Sequence, residues 1–574
     1  MNGFLKSVVV RRILHAAALL ALAFAALGSP QPARADATIY FVAPSAAGTA
    51  DCSSFTNACT LQSALGSAAS GDEVWVKAGV YIPGSNVLDS FSIPSGVSVY
   101  GGFAGTEGTS DFGLRDPATN LTVLSGDMDG DDVNKVNGVT PSTADIRSTN
   151  SNHVVTPASG SVLDGLTITA GGAGGYGAAI FQQNSYVFTV SNVHIVGNQP
   201  PAVYIGGAAS FTDVTLTNNA QSGIDGGAVH VLPGASPTFT DVTFDGNGGG
   251  RGGAVYNEGG SPAFANVTFY NNSASGTGGG AVYNYANGVT IDPTFTNVTF
   301  NQNHASSGSG GAVYNEAINS ATLVGHYSNV ILWGDTASSA SEMYSTPSSP
   351  TQPQPVVSFS VIPGGCATIT TSNSGAFCAL SYSGDPMLGS LQDNGGLTET
   401  IALGAGSSAL ETGYDAACNA APVNSLDQRG VTRPNGPHCD IGAYEYEHLF
   451  ADVPVAGKEW MEWWIDAFYN AGITTGCGTN PLIYCPNNST TRAAMAVFIL
   501  RAIHGVNYTP PAATGIFADV PVAGKEWMQP WIEEFYNEGI TTGCGVAPLI
   551  YCPENATTRA AMAVFIDRAF GLYP

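Results

Sequence analysis

The segment DVTFDGN, residues 241–247, and the segment GGAVYN, residues 252–257, contain the two phrases that decide the fold. The first phrase has the form [DN]-V-x-[FLI]-x-x-N and begins at Asn192, Asp213, Asp241, Asn266 and Asn297. The second phrase, GGAV, begins at Gly226, Gly252, Gly279 and Gly310. Successive copies of the first phrase are 21, 28, 25 and 31 residues apart, which is the sign of a repeat architecture.

The first phrase has the alternation of a β-strand. In V-T-F the valine and the phenylalanine point to one face and the threonine to the other. Glycine and asparagine at the ends of the phrases tolerate positive φ and favour turns. One repeat holds about three short strands and cannot bury its own apolar face, whereas stacked repeats bury a continuous interior. The repeats therefore predict a right-handed parallel β-helix over residues 36–384, in which each coil adds ~4.8 Å along the axis.

Every copy of the first phrase ends in an asparagine. These residues are Asn198, Asn219, Asn247, Asn272 and Asn303. We interpret them as an internal ladder at one bend, in which each amide bonds to the coils above and below. The alternative is a set of five separate ligand sites, which we favour less because like residues lie over like in a stacked solenoid.

The composition limits the classes of partner. The 574 residues include 72 glycines, and 43 acidic residues against 17 basic ones give a net charge of −26. A hydrophobic content of 44% is near the globular average, which argues against collagen and against wholesale disorder. So few cations do not suit a surface that neutralises phosphates or anionic lipids. Nucleic acid is therefore excluded as a partner.

The N-terminus has the pattern of a secretory signal peptide. Lys6, Arg11 and Arg12 precede an apolar run, and the A-x-A sequence at residues 33–35 matches a cleavage site. The apolar run is much shorter than the ~20 residues that span a bilayer. We predict that residues 1–35 are removed and that the mature chain is exported, has no transmembrane segment and resides outside the cell, at its surface or in its wall.

The ten cysteines fall as five close pairs in the sequence. The predicted disulfides are Cys52–Cys59, Cys366–Cys378, Cys418–Cys439, Cys477–Cys485 and Cys544–Cys552. Zinc binding and free thiols are the alternatives, but no C-x-x-C occurs and the histidines lack the spacing of zinc sites. Pairing of nearest neighbours is an assumption, since sequence alone does not fix connectivity.

Two resemblances concern the solenoid and the segment after it. The GGAVYN and NVTF phrases resemble the repeats of polymorphic outer-membrane proteins and related bacterial β-helix surface proteins. Residues 385–446, with LQDNGG, DQRG and CDIGAYE, resemble the choice-of-anchor family of exported β-helix proteins. That resemblance implies that the segment closes the β-helix as a cap. A salt-bridged cap is also suggested by its charged residues, which are Asp427, Arg429, Arg433, Asp440 and Glu445.

The C-terminal part contains a duplicated module. FADVPVAGKEWM at residues 450–461 recurs letter for letter at residues 517–528, 67 positions later, and the later cysteines keep the same offset. We predict two helix–loop–helix modules, residues 450–505 and 517–574, joined by a linker at residues 506–516. A disulfide closes the loop of each module.

The spacing of apolar residues and a capping threonine predict the two helices of the first module. Trp460, Trp464 and Phe468 lie at i, i+4 and i+8, and together with Ile465 they predict one amphipathic helix. Thr491 is suited to cap the second helix.

The paired modules resemble the S-layer homology domain, through F-x-D-V-P, G-I-T-x-G and a T-R-A triplet before the second helix. Domains of that family attach exported proteins to the polysaccharide of the cell envelope. By this resemblance the polymer-contacting residues are Trp460, Thr491, Arg492, Trp527, Thr558 and Arg559. Arginine suits this role because its fork pairs with carboxylate-bearing sugars. The alternative, in which the tryptophans belong to the core and the arginines cap helix ends, stays open.

Catalysis on a β-helix requires clustered carboxylates on one exposed face. Across residues 148–428 the only cation is Arg251, and the acids of the first phrase exchange with asparagine between copies. Asp225, Glu258 and Glu316 flank the GGAV strands and are the candidates to line up. We nevertheless predict no catalytic residue.

One acidic loop is a candidate metal site. Asp127, Asp129 and Asp131 offer oxygen ligands at alternate positions, which suits Ca²⁺. A solvated acidic turn is equally compatible with the sequence, because the downstream glutamate of an EF-hand is missing. No other cofactor is expected.

The order of these segments predicts a non-enzymatic bacterial cell-surface protein, adhesin-like or structural, whose C-terminal modules bind envelope polysaccharide. The expected partner is cell-envelope polysaccharide, and host or environmental glycans are further candidate partners, while the sequence does not name a ligand of the β-helix. The alternative is a secreted polysaccharide lyase or glycoside hydrolase retained at the surface by the same modules. A third hypothesis is that the C-terminal pair mediates association between proteins.

Overall fold

The computed structural model describes residues 37–172, 176–349, 355–371, 377–404, 406–453, 461–479 and 481–572. The predicted signal peptide, residues 1–35, lies outside the described residues. Most of the described chain forms a solenoid of parallel sheets, and six α-helices occur in the described parts. The predicted parallel β-helix is confirmed.

The first sheet contains fifteen parallel strands and runs along the whole solenoid. Its strands are β1 (Ile39–Val42), β2 (Glu73–Lys77), β3 (Gly79–Tyr81), β5 (Ser98–Phe103), β6 (Thr122–Ser125), β8 (Val162–Asp164), β9 (Thr167–Thr169), β11 (Thr189–Val196), β13 (Ser210–Thr217), β15 (Thr238–Asp245), β18 (Ala263–Tyr270), β22 (Thr294–Asn301), β26 (His326–Trp333), β29 (Val356–Val361) and β31 (Phe377–Tyr382). Equivalent phrase residues pair across neighbouring coils, as Val242 does with Val267.

The remaining sheets complete each coil. The second sheet contains β4 (Phe91–Ile93), β7 (Val155–Pro157), β10 (Ile180–Gln182), β12 (Val203–Ile205), β14 (Val229–Val231), β17 (Val255–Glu258), β20 (Val282–Asn287), β24 (Val313–Ile318), β28 (Met343–Thr346) and β30 (Thr370–Thr371). The third contains β16 (Gly248–Gly249), β19 (Ser273–Ala274), β23 (His304–Ser309) and β27 (Thr336–Ser339). The paired strands β21 (Thr290–Ile291) and β25 (Thr322–Leu323) and the hairpin of β32 (Leu388–Gln392) and β33 (Thr400–Leu403) lie outside these sheets.

The long strands of the first sheet bend at the first residue of the repeated phrase. The residues at this bend have φ between 50° and 57°, and they are Asn192, Asp213, Asp241, Asn266, Asn297 and Asn329. Asparagine and aspartate are the side chains that tolerate this left-handed conformation best after glycine. The bend lets two successive residues, Thr240 and Asp241 in β15, avoid the core while Phe239 and Val242 on either side are buried.

Aromatic rings stack in the core from coil to coil. The centroids of Phe244 and Phe269 are 4.6 Å apart, and those of Phe269 and Phe300 are 4.8 Å apart. A second stack has centroid separations of 5.0, 5.0, 4.8 and 4.6 Å, and it consists of Phe211, Phe239, Phe264, Phe295 and Tyr327. These separations agree with the expected rise of ~4.8 Å for each coil.

The predicted asparagine ladder is confirmed. The backbone N–H and the side-chain amide of Asn219 both donate to Oδ1 of Asn247, at 3.2 and 3.0 Å, and Asn247 donates in the same way to Asn272. Asn198 and Asn303 continue the pattern at the two ends, and all five side chains are fully buried. The five residues are therefore structural rather than separate ligand sites.

The ladder ends on a carboxyl group. Asn303 donates from its backbone and its side chain to Oδ1 of Asp335, at 2.7 and 2.8 Å. Asp335 is buried beside Glu342. Burial raises the pKa of Asp335 to about 7, and burial together with the nearby charge of Asp335 raises the pKa of Glu342 to about 10. The pair therefore holds at least one proton at neutral pH in the folded protein.

The N-terminal end of the solenoid is covered by helix α1 (Leu61–Ser67). Leu61, Ala64 and Leu65 on one face of this helix join the main core. Thr60 caps its start by accepting a hydrogen bond from the backbone N–H of Ser63. A terminal coil needs such a cover because it has no neighbour on one side.

All five predicted disulfides are present with nearest-neighbour pairing. Cys52–Cys59 lies in the first coil and Cys366–Cys378 in the last. The C-terminal pairs close the loops of the two modules as predicted. No cysteine is left free.

Residues 385–446, expected as an end cap, make contacts along the flank of the solenoid. Thr243 donates to the carbonyl of Glu399 at 2.6 Å, and Thr268 donates to the side chain of Gln428 at 2.7 Å. Farther along, the N–H of Ala443 donates to a hydroxyl of β22. These partners are outward groups of successive coils, so the segment covers a side of the first sheet. Helix α2 (Asp415–Asn419) belongs to this flank segment.

Buried ion pairs hold the flank segment together, in line with the expected salt bridges. Arg429 pairs with Asp427 at 2.8 Å, and Arg433 pairs with Glu445 at 3.2 Å. Arg433 is 1% exposed and also donates to the carbonyl oxygen of Asp440. A buried guanidinium requires such partners because an unpaired buried charge is very costly.

Each C-terminal module contains the two predicted helices, and the loop between them forms a short hairpin that was not predicted. The first has α3 (Glu462–Asn470), β34 (Gly478–Thr479), β35 (Leu482–Ile483) and α4 (Arg492–His504). The second has α5 (Gln529–Asn537), β36 (Gly545–Val546), β37 (Leu549–Ile550) and α6 (Arg559–Phe570). Among the described residues, no helix combines the length and the apolar character that crossing a membrane requires.

The helices do not pack as two separate pairs. Helix α4 of the first module shares its buried core with α5 and α6 of the second module, while α3 belongs to a different, smaller cluster with Phe450 and Val453. The predicted helix is present as α3, but Trp464 and Phe468 on its apolar face are 63% and 42% exposed. Ile465 is buried as expected.

We expect Asn219→Ala to lower the free energy of unfolding by about 2–5 kcal/mol, because it removes the side chain that accepts from Asn198 and leaves buried polar groups without partners. Urea unfolding followed by circular dichroism measures this effect. Gln221→Ala, at an exposed position of the same coil, is the control and should change stability by less than about 0.5 kcal/mol. Equal effects of the two substitutions would contradict the ladder.

Asp335→Asn should stabilise the protein more at pH 8 than at pH 5. A carboxyl whose pKa is raised by folding binds more protons in the folded state, so stability falls as the pH rises above about 4, the pKa of an unfolded carboxyl. The substitution Asp335→Asn removes this pH dependence of stability at one site. Thermal midpoints at the two pH values test the prediction, with the exposed Asp393→Asn as the control. An equal shift at both pH values would contradict it.

Candidate functional site

The outer face of the second sheet displays a row of aromatic side chains. In each short strand the middle residue points away from the core, as Tyr204 does between the buried Val203 and Ile205 in β12. From β10 to β28 the outward residues in this register are all aromatic, and they are Phe181, Tyr204, His230, Tyr256, Tyr283, Tyr314 and Tyr344. Their register across seven strands makes the row continuous.

Neighbouring rings of this row contact one another. Centroid separations run 5.7, 5.0, 4.9, 5.9, 4.7 and 5.1 Å from Phe181 to Tyr344. His153 extends the row by stacking on Phe181 at 4.2 Å, and Tyr176 stacks on Tyr204 at 5.1 Å. An aromatic row of this kind offers apolar ring faces beside polar edges.

The middle of the row is closed to ligands. Tyr256 and Tyr283 are each 2% exposed, and the guanidinium of Arg251 lies 4.5 Å from the ring centroid of Tyr256. Burial raises the pKa of both phenols above their ordinary value. Ring faces are therefore available only toward the ends of the row.

The three carboxylates that were candidates to line up each have a partner. Asp225 forms an ion pair with Arg251 at 2.7 Å, and Glu258 accepts from Nε2 of His230 at 3.0 Å. The hydrogen bond from His230 lowers the pKa of Glu258. Glu316 accepts from the hydroxyl of Tyr283 at 2.6 Å.

Two of these three carboxylates share one column. Glu258 and Glu316 are two coils apart, with Tyr285 between them in register, whereas Asp225 precedes its GGAV phrase. The contacts with neighbouring side chains hold the three carboxylates in place. None of the described hydrogen bonds joins two of the three acids.

The N-terminal end of the row opens into a groove of about 490 Å³. Phe181 forms one wall, and Tyr186, which is 39% exposed, lines the groove with it. The remaining lining residues are Ser92, Ile93, Pro94, Thr156, Pro157, Ala158, Gln182, Gln183 and Asn184. None of these side chains carries a charge.

The amides at this groove are held in place by a buried glutamine. The side chain of Gln182 donates to the carbonyl of Pro157 and accepts from the backbone N–H of Asn184 at 2.7 Å. Gln183 and Asn184, next in the chain, are exposed. Exposed amides beside an aromatic wall supply both donors and acceptors to a hydroxyl-rich ligand.

The acidic loop has a different geometry from the predicted metal site. Carboxylate oxygens of Asp127, Asp131 and Asp132 lie within 4.8 Å of one another, whereas Asp129 stands outside this group. The ammonium group of Lys135 is 2.5 Å from Asp127 and already neutralises it. In this structure a lysine therefore pairs with one of the three predicted ligands.

Asp132 is also occupied by protein donors. Its Oδ1 accepts from the backbone N–H of Arg147 at 2.7 Å, and its Oδ2 accepts from the hydroxyl of Thr140 at 2.9 Å. Burial raises the pKa of this carboxyl. These contacts close the loop without an ion, and calcium binding stays a prediction.

The residues predicted to contact polymer have different surroundings in the two modules. Trp460 lies outside the described residues. Thr491 and Thr558 cap the starts of α4 and α6, each accepting from a backbone N–H at 3.2 Å. Arg492 donates to the carbonyl of Tyr551 at 3.0 Å.

The second module presents its predicted residues to solvent. Trp527 is 56% exposed, and Arg559 is exposed at the start of α6. The interpretation of the tryptophans as core residues therefore does not apply to Trp527.

Comparison with known proteins supports the fold. Residues 178–340 match the family described as "Right handed beta helix region", which agrees with the predicted handedness. The crystal structure of pectate lyase Pel9A aligns with 72% of this chain and 98% of its own, at a TM-score of 0.36 and 12% identity. That likeness is too distant to indicate a shared activity. No curated protein sequence is similar enough to count as a match.

Proposed function

We propose that this chain is a non-enzymatic, adhesin-like protein of the bacterial cell surface, whose β-helix binds a neutral glycan. The observation that carries the proposal is the open groove formed by Phe181, Tyr186 and the amides of Gln183 and Asn184. Sugar rings offer apolar C–H faces that pack on aromatic rings and hydroxyls that bond to amides. The uncharged lining favours a neutral sugar over an acidic one, since no cation is present among the groove residues.

The state of the carboxylates favours binding over catalysis. A hydrolase needs one carboxyl group as acid and a second as base or nucleophile on either side of the scissile bond. Asp225, Glu258 and Glu316 are each engaged by a neighbouring side chain. The alternative of a polysaccharide lyase or glycoside hydrolase would require these contacts to open.

Attachment to the envelope is the second part of the proposal. The predicted signal peptide and the likeness of the C-terminal modules to S-layer homology domains support export and binding of wall polysaccharide. Trp527, Thr558 and Arg559 are exposed on the second module and are the proposed polymer-contacting residues. Arg492 has a protein partner and is assigned to the interface between the modules instead.

Tyr186→Ala should weaken binding of a neutral oligosaccharide about tenfold, which corresponds to about 1.4 kcal/mol. The loss of a stacking surface is the physical reason. Isothermal titration with cellohexaose, mannohexaose and, for comparison, oligogalacturonate measures the effect on the mature chain. Val187→Ala is the matched control, because this residue is exposed beside the groove without lining it.

Two results would contradict this proposal. One is binding of none of the three oligosaccharides by the unmodified chain. The other is cleavage of polygalacturonate by the mature chain that Glu258→Gln abolishes, since it would assign a catalytic role to that carboxylate.

Arg559→Ala should reduce binding of the mature chain to cell-wall sacculi of the producing organism several-fold, because a guanidinium pairs bidentately with acidic sugar groups. Sedimentation of protein with purified sacculi measures the bound fraction. Lys525→Ala removes a cation that is exposed on the same module and pairs with Glu554, so it controls for charge. Equal loss in both variants, or no sedimentation of the unmodified chain, would defeat the anchoring proposal.

A further inference from the structure

The two C-terminal modules have almost the same sequence but bury different surfaces. Phe468 of α3 is 42% exposed, whereas its equivalent in α5, Phe535, is fully buried. Trp464 keeps a contact within its own chain and is 63% exposed, whereas its equivalent Trp531 is 9% exposed. Identical side chains on equivalent helices thus differ in burial because of what lies against them.

Helix α5 is covered by α4, the second helix of the preceding module. Trp531 lies 5.5 Å from the guanidinium of Arg501 and 6.0 Å from the ring of Tyr508. The apolar residues of α4 in the shared core are Ala493, Met495, Ala496, Val497, Ile499 and Leu500. A helix from one module therefore completes the core of the next.

The start of α4 is bound in a defined cradle of the second module. The N–H of Ala493 donates to the carbonyl of Pro553 at 3.1 Å. The hydroxyl of Tyr551 donates to the carbonyl of Arg492 at 2.7 Å, and the guanidinium of Arg492 returns a hydrogen bond to the carbonyl of Tyr551. The contact is specific because both backbone and side-chain groups are paired.

The first module contains the same cradle, and no helix of the described part of the chain lies in it. A groove of about 310 Å³ is lined by Met461, Trp464, Ile465, Phe468, Tyr484 and Pro486. Each of these residues is identical to the residue 67 positions later in the second module, namely Met528, Trp531, Ile532, Phe535, Tyr551 and Pro553. The groove is therefore an open copy of a surface that is filled elsewhere in the same chain.

Helix α6 has the matching shape and sequence to fill that groove. It begins RAAMAVFI, as α4 does. Val564 is 46% exposed where its equivalent Val497 in α4 is 4% exposed, and Ile566 is 37% exposed where Ile499 is 5% exposed. Two apolar residues that α4 buries against the next module thus have exposed equivalents on α6, while Leu500 is replaced there by Asp567.

We propose that α6 of one copy of this chain docks into the groove beside α3 of a second copy, repeating the contact that α4 makes with α5. The occupant is a second copy because the groove and the helix that fits it occur in one chain, and they are not joined to each other in this structure. The donating and accepting surfaces differ, so the contact is head-to-tail. Docking and wall binding share one side chain, because Arg559 is the equivalent of Arg492, which lies in the filled cradle. The experiment must therefore separate the two proposals.

Sedimentation velocity of the mature chain over a range of concentrations tests the proposal, with Phe468→Asp to block the groove and Val564→Asp to block the helix. Both positions are exposed, and circular dichroism checks that the variants stay folded. Asn470→Asp, exposed elsewhere on α3, is the charge-matched control. The unmodified chain and the control should reach at least twice the monomer mass, and each blocking variant should remain a monomer.

Mixing the two blocking variants is the decisive experiment. A head-to-tail contact leaves one intact groove and one intact helix in the mixture, so complexes of two chains should form, one of each kind. Three results would overturn the proposal: an unmodified chain that is monomeric at every concentration, association that survives either blocking variant, or a mixture that stays monomeric. Sacculus binding of Val564→Asp should be at least as strong as that of the unmodified chain, because Arg559 stays free in this variant, and this separates the test from the anchoring proposal.

Discussion

A buried amide that lacks a hydrogen-bond partner destabilises a protein, and this constraint sets the register of the solenoid. Each asparagine of the ladder needs the next coil to present an acceptor at the same bend, as Asn272 does for Asn247. Loops of different length are therefore accommodated elsewhere in the coil. Because the register is fixed at the bend, the outward residues of the second sheet fall into one line, and the aromatic row and its groove result from that alignment.

Much of the fold could be predicted from the sequence because the repeats are local and periodic. The strand alternation, the ladder and the disulfides each depend on residues close together in the chain or on equivalent positions in successive repeats. The aromatic row was missed, although V-Y-N in the GGAVYN phrase places tyrosine on the face opposite to valine. The position of residues 385–446 was not predictable in this way, since Thr268 meets Gln428 across 160 residues.

The C-terminal modules show why sequence similarity within one chain does not fix burial. Phe468 and Phe535 occupy the same position in equivalent helices, yet a helix covers only the second of them in this structure. The candidate site was also hard to predict, because Tyr186 and Gln183 lie in a loop outside the repeated phrases. Conversely, the acids that the sequence singled out are held by His230, Arg251 and Tyr283, partners that only the stacking of coils brings near.

The disulfides of the solenoid have a mechanical consequence. Cys52–Cys59 and Cys366–Cys378 lie in the first and last coils, and no cysteine occurs between Cys59 and Cys366. A solenoid under tension peels from its ends, because a terminal coil has only one neighbour to hold it. Each disulfide closes a loop within its own terminal coil and so limits how far that coil can extend once it unravels, while the coils between them rely on hydrogen bonds and packing alone. A protein tethered at one end and loaded at the other is thus reinforced where unravelling begins.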